Sequence, residues 1–209
     1  MEQAKRHALP LLAVAIGYSL IFATIWTPRA TQRWLFWIDV AFFLTAAILQ
    51  SRNSRFEVRG FSVSIAIAGL GLIVAAGILY VGEMLGTVHT LSGRRAPLWH
   101  AGIYLVWAIL QQWIQQSFFF ARLEQLLSRG WVASFTTASL FGLAHLPNPV
   151  LTPVTFVGGF VLSELFRRYR TIVPLGIAHG AVGLALALAV PDALNHHMRV
   201  GLGYLMWHG

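Results

Sequence analysis

The chain has 209 residues, 57% hydrophobic and only 11% charged, with a mean hydropathy of +0.67. Soluble domains carry about 25% charged residues, so a water-soluble globule is excluded. The net charge of +8 raises nucleic acid as a partner, but the basic residues fall in small groups between apolar stretches, as loop anchors facing lipid headgroups do. The expected partner is therefore membrane lipid, with no nucleic acid.

In chain order, apolar segments occupy about 8–27, 34–50, 61–82, 97–121, 131–146, 150–166 and 171–190. A bilayer core of ~30 Å takes roughly 20 apolar residues per helix. The pattern predicts an all-α fold, a polytopic transmembrane bundle of seven helices, with residues 1–209 forming one integral membrane domain. The first segment follows Lys5 and Arg6 and is too long for a signal peptide, so it reads as an uncleaved helix. The tail after Pro191 is polar at its start and aromatic later, which leaves an eighth short helix open.

With seven spans, the amino terminus and the even-numbered loops hold 10 Lys and Arg residues, against 5 on the other side. The positive-inside rule then places the amino terminus in the cytoplasm. Cysteine is absent, so disulfides, thiolate metal sites and cysteine nucleophiles are excluded together.

Polar groups inside a span are the informative residues, because hydrocarbon should exclude them. Gln111, Gln112, Gln115 and Gln116 lie deep in the fourth segment, and at ~100° per residue they form one stripe on the helix. Such a stripe faces protein, as interhelical glue, or a wet site. His145 ends the fifth segment before Pro147, Asn148 and Pro149. Proline stops the helix there, and the freed carbonyls must be buried in protein or line a cavity. A capping histidine and a cavity histidine are both compatible with that position.

His179 lies eight residues into the seventh segment, among Gly176, Gly180 and Gly183, which permit close approach of another helix. Asp39 and Glu83 lie near segment ends, where snorkelling is cheap. Glu164 precedes Arg167 and Arg168 by three and four residues, the spacing of a helix-surface ion pair.

In order and spacing, these residues resemble the CAAX protease and bacteriocin-processing (CPBP) family of intramembrane endopeptidases. That family carries Glu-Glu-x-x-x-Arg, then Phe-x-x-x-His, then His-x-x-x-Asn in successive helices. The second motif is intact here as Phe141 to His145. The third begins at His179 but has Gly183 in place of asparagine, and the first aligns with Gln111, Gln112 and Gln116. The resemblance covers about residues 97–190.

What the resemblance implies is water activated by a motif-one glutamate with the histidines, and an oxyanion held by the second histidine and the asparagine. Glutamine cannot take a proton, although it can orient water or donate a hydrogen bond. His145 and His179 are then the motif groups able to carry a proton, with Gln111 and Gln112 completing the expected catalytic set. Gln115, Gln116, Phe141, Asn148 and Gly183 are the expected substrate or cavity residues.

A divalent metal on His145 and His179 is the cofactor to consider, but catalytic zinc usually takes three protein ligands and the sequence offers no obvious third. Two functions follow: an endopeptidase cutting a membrane-proximal peptide, or an inactive homologue that binds a peptide or lipid tail as a scaffold. A transporter would call for inverted repeats or paired broken helices, and the sequence has one clear break. The family's commonest setting is the bacterial plasma membrane.

Overall fold

A computed structural model describes residues 2–51, 60–89 and 97–207. The basic stretches containing Arg52, Arg55 and Arg59, and Arg94 and Arg95, which entered the orientation count, lie outside the described residues. The described chain is helical, with no strand. In order it forms α1 (Glu2–Ile25), α2 (Arg29–Ser51), α3 (Phe61–Met84), α4 (Pro97–Trp113), a π-helical segment (Ile114–Phe120), α5 (Ala121–Leu126), α6 (Gly130–Leu143), α7 (Leu151–Tyr169), α8 (Val173–Ala189), α9 (Asp192–Asn195) and α10 (Gly201–Leu205).

Three stretches, His7–Ile25, Arg29–Leu49 and Phe61–Met84, are long and apolar enough to cross a membrane. Their large side chains point outward. Leu9, Trp37, Leu72 and Ile73, for example, are exposed, an arrangement that suits lipid and would be costly in water. The tail forms only the short helices α9 and α10, neither of them near the roughly 20 residues of a span.

The helix ends follow local chemistry. Pro174 sits in the first turn of α8, where its missing N–H is not needed. Arg170 ends α7 in a left-handed conformation at φ 51°, and its guanidinium forms a two-pronged pair with Glu124 of α5 at 2.7 and 2.8 Å. α6 stops at Leu143, so His145 stands in the turn just past the helix rather than inside it.

The middle of the bundle is α8, flanked by α3 and α4. Its small residues make this possible: a Cβ on Gly176 would lie 2.6 Å from the Ile109 backbone, and one on Gly180 would lie 2.7 Å from the Leu105 side chain. On the other flank, Gly71 of α3 is packed directly on the Ala178 backbone and Gly82 on Ala189. Without a hydrophobic drive between helices in lipid, this intimate van der Waals packing is the principal cohesion.

The helix carrying the glutamines is held from behind by aromatic rings. Phe118 meets Phe43 and Phe119 edge-on at 4.9 and 5.0 Å, and Phe120 meets Phe166 edge-on at 5.7 Å. Phe118, Phe119 and Phe120 are all buried in the main core.

Candidate active site

The stripe of glutamines straddles a change of helix type. α4 passes at Ile114 into a π-helical turn, where the N–H of Ala121 reaches back five residues to the Gln116 carbonyl. Such wide turns are rare and frequently occur at functional sites. The four side chains divide into the two i,i+4 pairs that helical spacing gives. Gln111 and Gln115 line a cavity of about 1220 Å3, whereas Gln112 and Gln116 are fully buried within the protein.

Gln111 makes no hydrogen bond to any described residue. The other three amides form a chain whose orientation is fixed by one backbone group. Gln115 Nε2 donates to the Gly159 carbonyl at 3.4 Å, which can only accept, so its Oε1 must face the other way. That oxygen accepts from Gln112 Nε2 at 2.8 Å, and Gln112 Oε1 in turn accepts from Gln116 Nε2 at 3.1 Å. The second hydrogen of Gln112 Nε2 points at His179 Nδ1, 3.2 Å away. An amide NH2 only donates, so His179 Nδ1 is the acceptor and its Nε2 carries the proton.

His145 has the opposite arrangement. Its Nδ1 lies 2.7 Å from the Phe141 carbonyl, one of the orphan acceptors at the end of α6, and must donate to it. Its Nε2 is therefore the unprotonated, basic nitrogen of the neutral ring. The capping role and the cavity role coincide in this residue, because His145 also lines the cavity with His179. Phe141 stands between the two imidazoles, its ring edge-on to His145 at 4.8 Å and to His179 at 5.6 Å. It too lines the cavity, as does Gly183.

Asn148 does not line the cavity, contrary to the expectation from sequence. It is fully buried, where its Oδ1 accepts from the Val150 and Leu151 N–H groups at 3.0 and 2.9 Å and so caps α7. Its Nδ2 donates to the Asn195 and Arg199 carbonyls at 2.8 and 3.0 Å. Asn148 thus pins the tail beneath the proline break, and Met198 and Val200 of that tail close part of the cavity. Gln116 likewise departs from the expected cavity position, since it is buried behind Gln112.

Glu164 pairs with Arg167 at 2.7 Å and accepts from Ser134 Oγ at 2.7 Å. Glu83 is exposed. Asp39, by contrast, faces the cavity and accepts from Thr24 Oγ1 at 2.7 Å, so it is held between α1 and α2 instead of snorkelling. Tyr104 also lines the cavity. A signal for it was present in the sequence, since it precedes Gln111 by seven residues, two turns along the same face of α4.

Residues 93–185 match the family model for type II CAAX prenyl endopeptidase Rce1-like. This Rce1-like segment contains all three motif regions and agrees with the resemblance to CAAX-type proteases drawn from their residues. Together with the apolar helices it identifies an integral membrane protein. No curated protein and no solved structure matches the chain.

The residues of the Rce1-like segment do not fit a catalytic metal. Among the described residues no three His, Cys, Asp or Glu side chains are brought together to hold one, and zinc catalysis takes three protein ligands. Both Nδ1 atoms are already engaged, and His179 presents a protonated Nε2. The pair is instead arranged for proton acceptance at one ring and hydrogen-bond donation at the other.

Proposed function

We propose that this protein is an intramembrane endopeptidase of the CAAX type, in which His145 is the general base and His179 a donor to the oxyanion. The observation that carries the reading is the pair of Nδ1 contacts, His179 with the Gln112 amide nitrogen and His145 with the Phe141 carbonyl, which call for opposite tautomers of two imidazoles that line one cavity and both meet the Phe141 ring. Water held by Gln111 attacks the scissile carbonyl carbon, and its proton passes to His145 Nε2. The oxygen that becomes negative is met by His179 Nε2–H. As the C–N bond breaks, the imidazolium returns the proton to the leaving nitrogen, giving a carboxylate and an amine.

A histidine suits this exchange because its unperturbed pKa of ~6.5 lies near the operating pH. Glutamine at 112 is then compatible with catalysis: it donates where a carboxylate would accept, and so keeps the Nε2 proton of His179 aimed at the cavity. The family description supports a prenylated peptide ending in Cys-a-a-X as substrate, where the lipid chain adds about 0.8 kcal/mol of membrane affinity per buried CH2. The apolar lining of the cavity is compatible with such a chain. In this reading the bundle has seven spans in a bacterial plasma membrane with a cytoplasmic amino terminus.

The test is turnover of an internally quenched, farnesylated Cys-a-a-X peptide by the purified protein in liposomes, beside the unprenylated peptide. Cleavage is expected, with loss of at least about a hundredfold for His145→Ala, the upper range of general-base contributions being larger still. Full activity in both His145→Ala and His179→Ala would overturn the reading. A second reading, an inactive homologue that retains the cavity for a peptide or lipid tail, is favoured by the absence of motif-one carboxylates. Under it the farnesylated peptide binds and is not cut.

A further inference from the structure

We propose that Tyr104 supplies, from α4, the oxyanion hydrogen bond that α8 lacks because residue 183 is glycine. This rests on the endopeptidase reading and adds a residue to its machinery. The first observation is steric. A Cβ built on Gly183 would meet the Tyr104 phenol, 2.8 Å from Cζ and 3.0 Å from Cε1, with the hydroxyl oxygen closer still. The tyrosine therefore occupies the space that any side chain at 183 would need.

The second observation is chemical. Tyr104 lines the cavity with both histidines, and its hydroxyl has no hydrogen-bond partner among the described residues. A buried tyrosine hydroxyl usually finds one, so this donor is left for something in the cavity. The third is register. Gly183 follows His179 by four residues, which places it about 6 Å further along the same face of α8. On α4, Tyr104, Ala108 and Gln112 repeat at the same spacing. Gln112 contacts His179, and Tyr104, two turns earlier on α4, contacts Gly183, one turn later on α8, so along the antiparallel pair the phenol lies beyond the imidazole on the Gly183 side.

The imidazole of His179 and the phenol of Tyr104 thus both line the cavity, each with a hydrogen to donate. A preorganised pair of this kind acts on the tetrahedral intermediate, where charge develops, more than on bound substrate. The step transfers no proton from Tyr104. The hydroxyl donates to the oxyanion and remains a phenol when the carbonyl re-forms.

The test is Tyr104→Phe, which keeps the ring and removes a hydroxyl that bonds nothing in the fold, assayed on the farnesylated Cys-a-a-X peptide in liposomes. The expected result is a fall in kcat of about a hundredfold, the size seen when one oxyanion donor is removed, with KM within about threefold and an unchanged Tm. The double variant Tyr104→Ala with Gly183→Asn returns an amide donor to α8 and should recover part of the lost kcat relative to Tyr104→Ala alone. Wild-type kcat in Tyr104→Phe, with His145→Ala inactive, would overturn the role of Tyr104 and leave the endopeptidase reading standing. A KM rise with kcat unchanged would likewise overturn it, and no cleavage by the unaltered protein would overturn both.

Discussion

Gln112 donates an amide hydrogen to Nδ1 of His179 at 3.2 Å, from a position fully buried between α4 and α8. The contact decides which nitrogen of His179 can face substrate with a proton. It also explains why a neutral amide is suited to a position where the family's pattern has a carboxylate: the same Nε2 serves both His179 and Gln115. The positions that carry opposite charges in that pattern, 112 and 116, are joined here by an amide–amide hydrogen bond at 3.1 Å.

Gln112→Glu is therefore expected to lower activity. A carboxylate cannot donate to Gln115 Oε1, and it draws the neutral imidazole of His179 into the tautomer with the proton on Nδ1. The Nε2 donor is lost from the cavity, for an expected fall in kcat of about ten- to a hundredfold. Gln112→Leu leaves Gln115 Oε1 and Gln116 Nε2 buried without partners, at about 1–3 kcal/mol each, and should lower Tm as well. Nitrogen chemical shifts of His179 distinguish the tautomers directly, and a gain of activity in Gln112→Glu would contradict this account.

Gln111 behaves differently because it faces the cavity without a partner. Gln111→Glu places a carboxylate beside the water that His145 would activate, without breaking the buried amide chain. A second base at that point should raise kcat, by about tenfold on a conservative reading of general-base effects. The check is a pH–rate profile: the gain should be present above the carboxylate's titration range and vanish as pH falls through it. A decrease at all pH values would mean that the cavity wall does not tolerate the charge.

Much of this was legible in the sequence, for reasons that differ from residue to residue. The apolar segments gave the long helices, with ends misplaced by a few residues, because hydropathy marks a span but not its last hydrogen bond. The apolar run of the fourth segment ends at about 121, while the helical path runs on through α5 to Leu126. A uniform ~100° per residue put four glutamines on one stripe. The π-helical turn departs from that regularity without a local compositional signal, in a segment whose Phe118, Phe119 and Phe120 are buried in the main core. A tyrosine in an apolar helix is ordinary, so the sequence signal for Tyr104 is only its seven-residue spacing from Gln111, and the contact with Gly183 is what gives that spacing meaning. The tail was the least legible part, because its short helices are held by Asn148 and by the Gly201 N–H bonded to the Leu146 carbonyl at 2.7 Å, both of them non-local.

The role of Asn148 gives a prediction about stability. Asn148→Ala removes the cap from the first turn of α7 and leaves the Asn195 and Arg199 carbonyls short of a donor. An N-cap is worth about 0.5–2 kcal/mol, and each orphaned buried group about 1–3 kcal/mol, so a loss of about 2–4 kcal/mol is expected. The variant should show a lower Tm in detergent and faster proteolysis within residues 192–205. Asn148→Asp restores the acceptor but sets an anion against two carbonyl oxygens, and rescue by aspartate would show that the cap alone matters.

The packing of α3 on α8 can be tested with glycines of the same helix. Gly71 rests on the Ala178 backbone, so a Cβ there would overlap it, whereas a Cβ on Gly69 or Gly77 meets nothing within 4 Å. Gly71→Ala must part the two helices, and overpacking of this kind costs about 1–3 kcal/mol. Gly69→Ala and Gly77→Ala should be neutral or stabilising by up to about 1 kcal/mol, because alanine is the better helix former. Thermal unfolding in detergent checks all three. Activity separates them further: Ala178 is the immediate neighbour of His179, so Gly71→Ala should also weaken the contact between Gln112 and His179 and reduce kcat, while the two controls leave it unchanged. Equal effects from the three substitutions would show that α3 does not hold α8 in its working position.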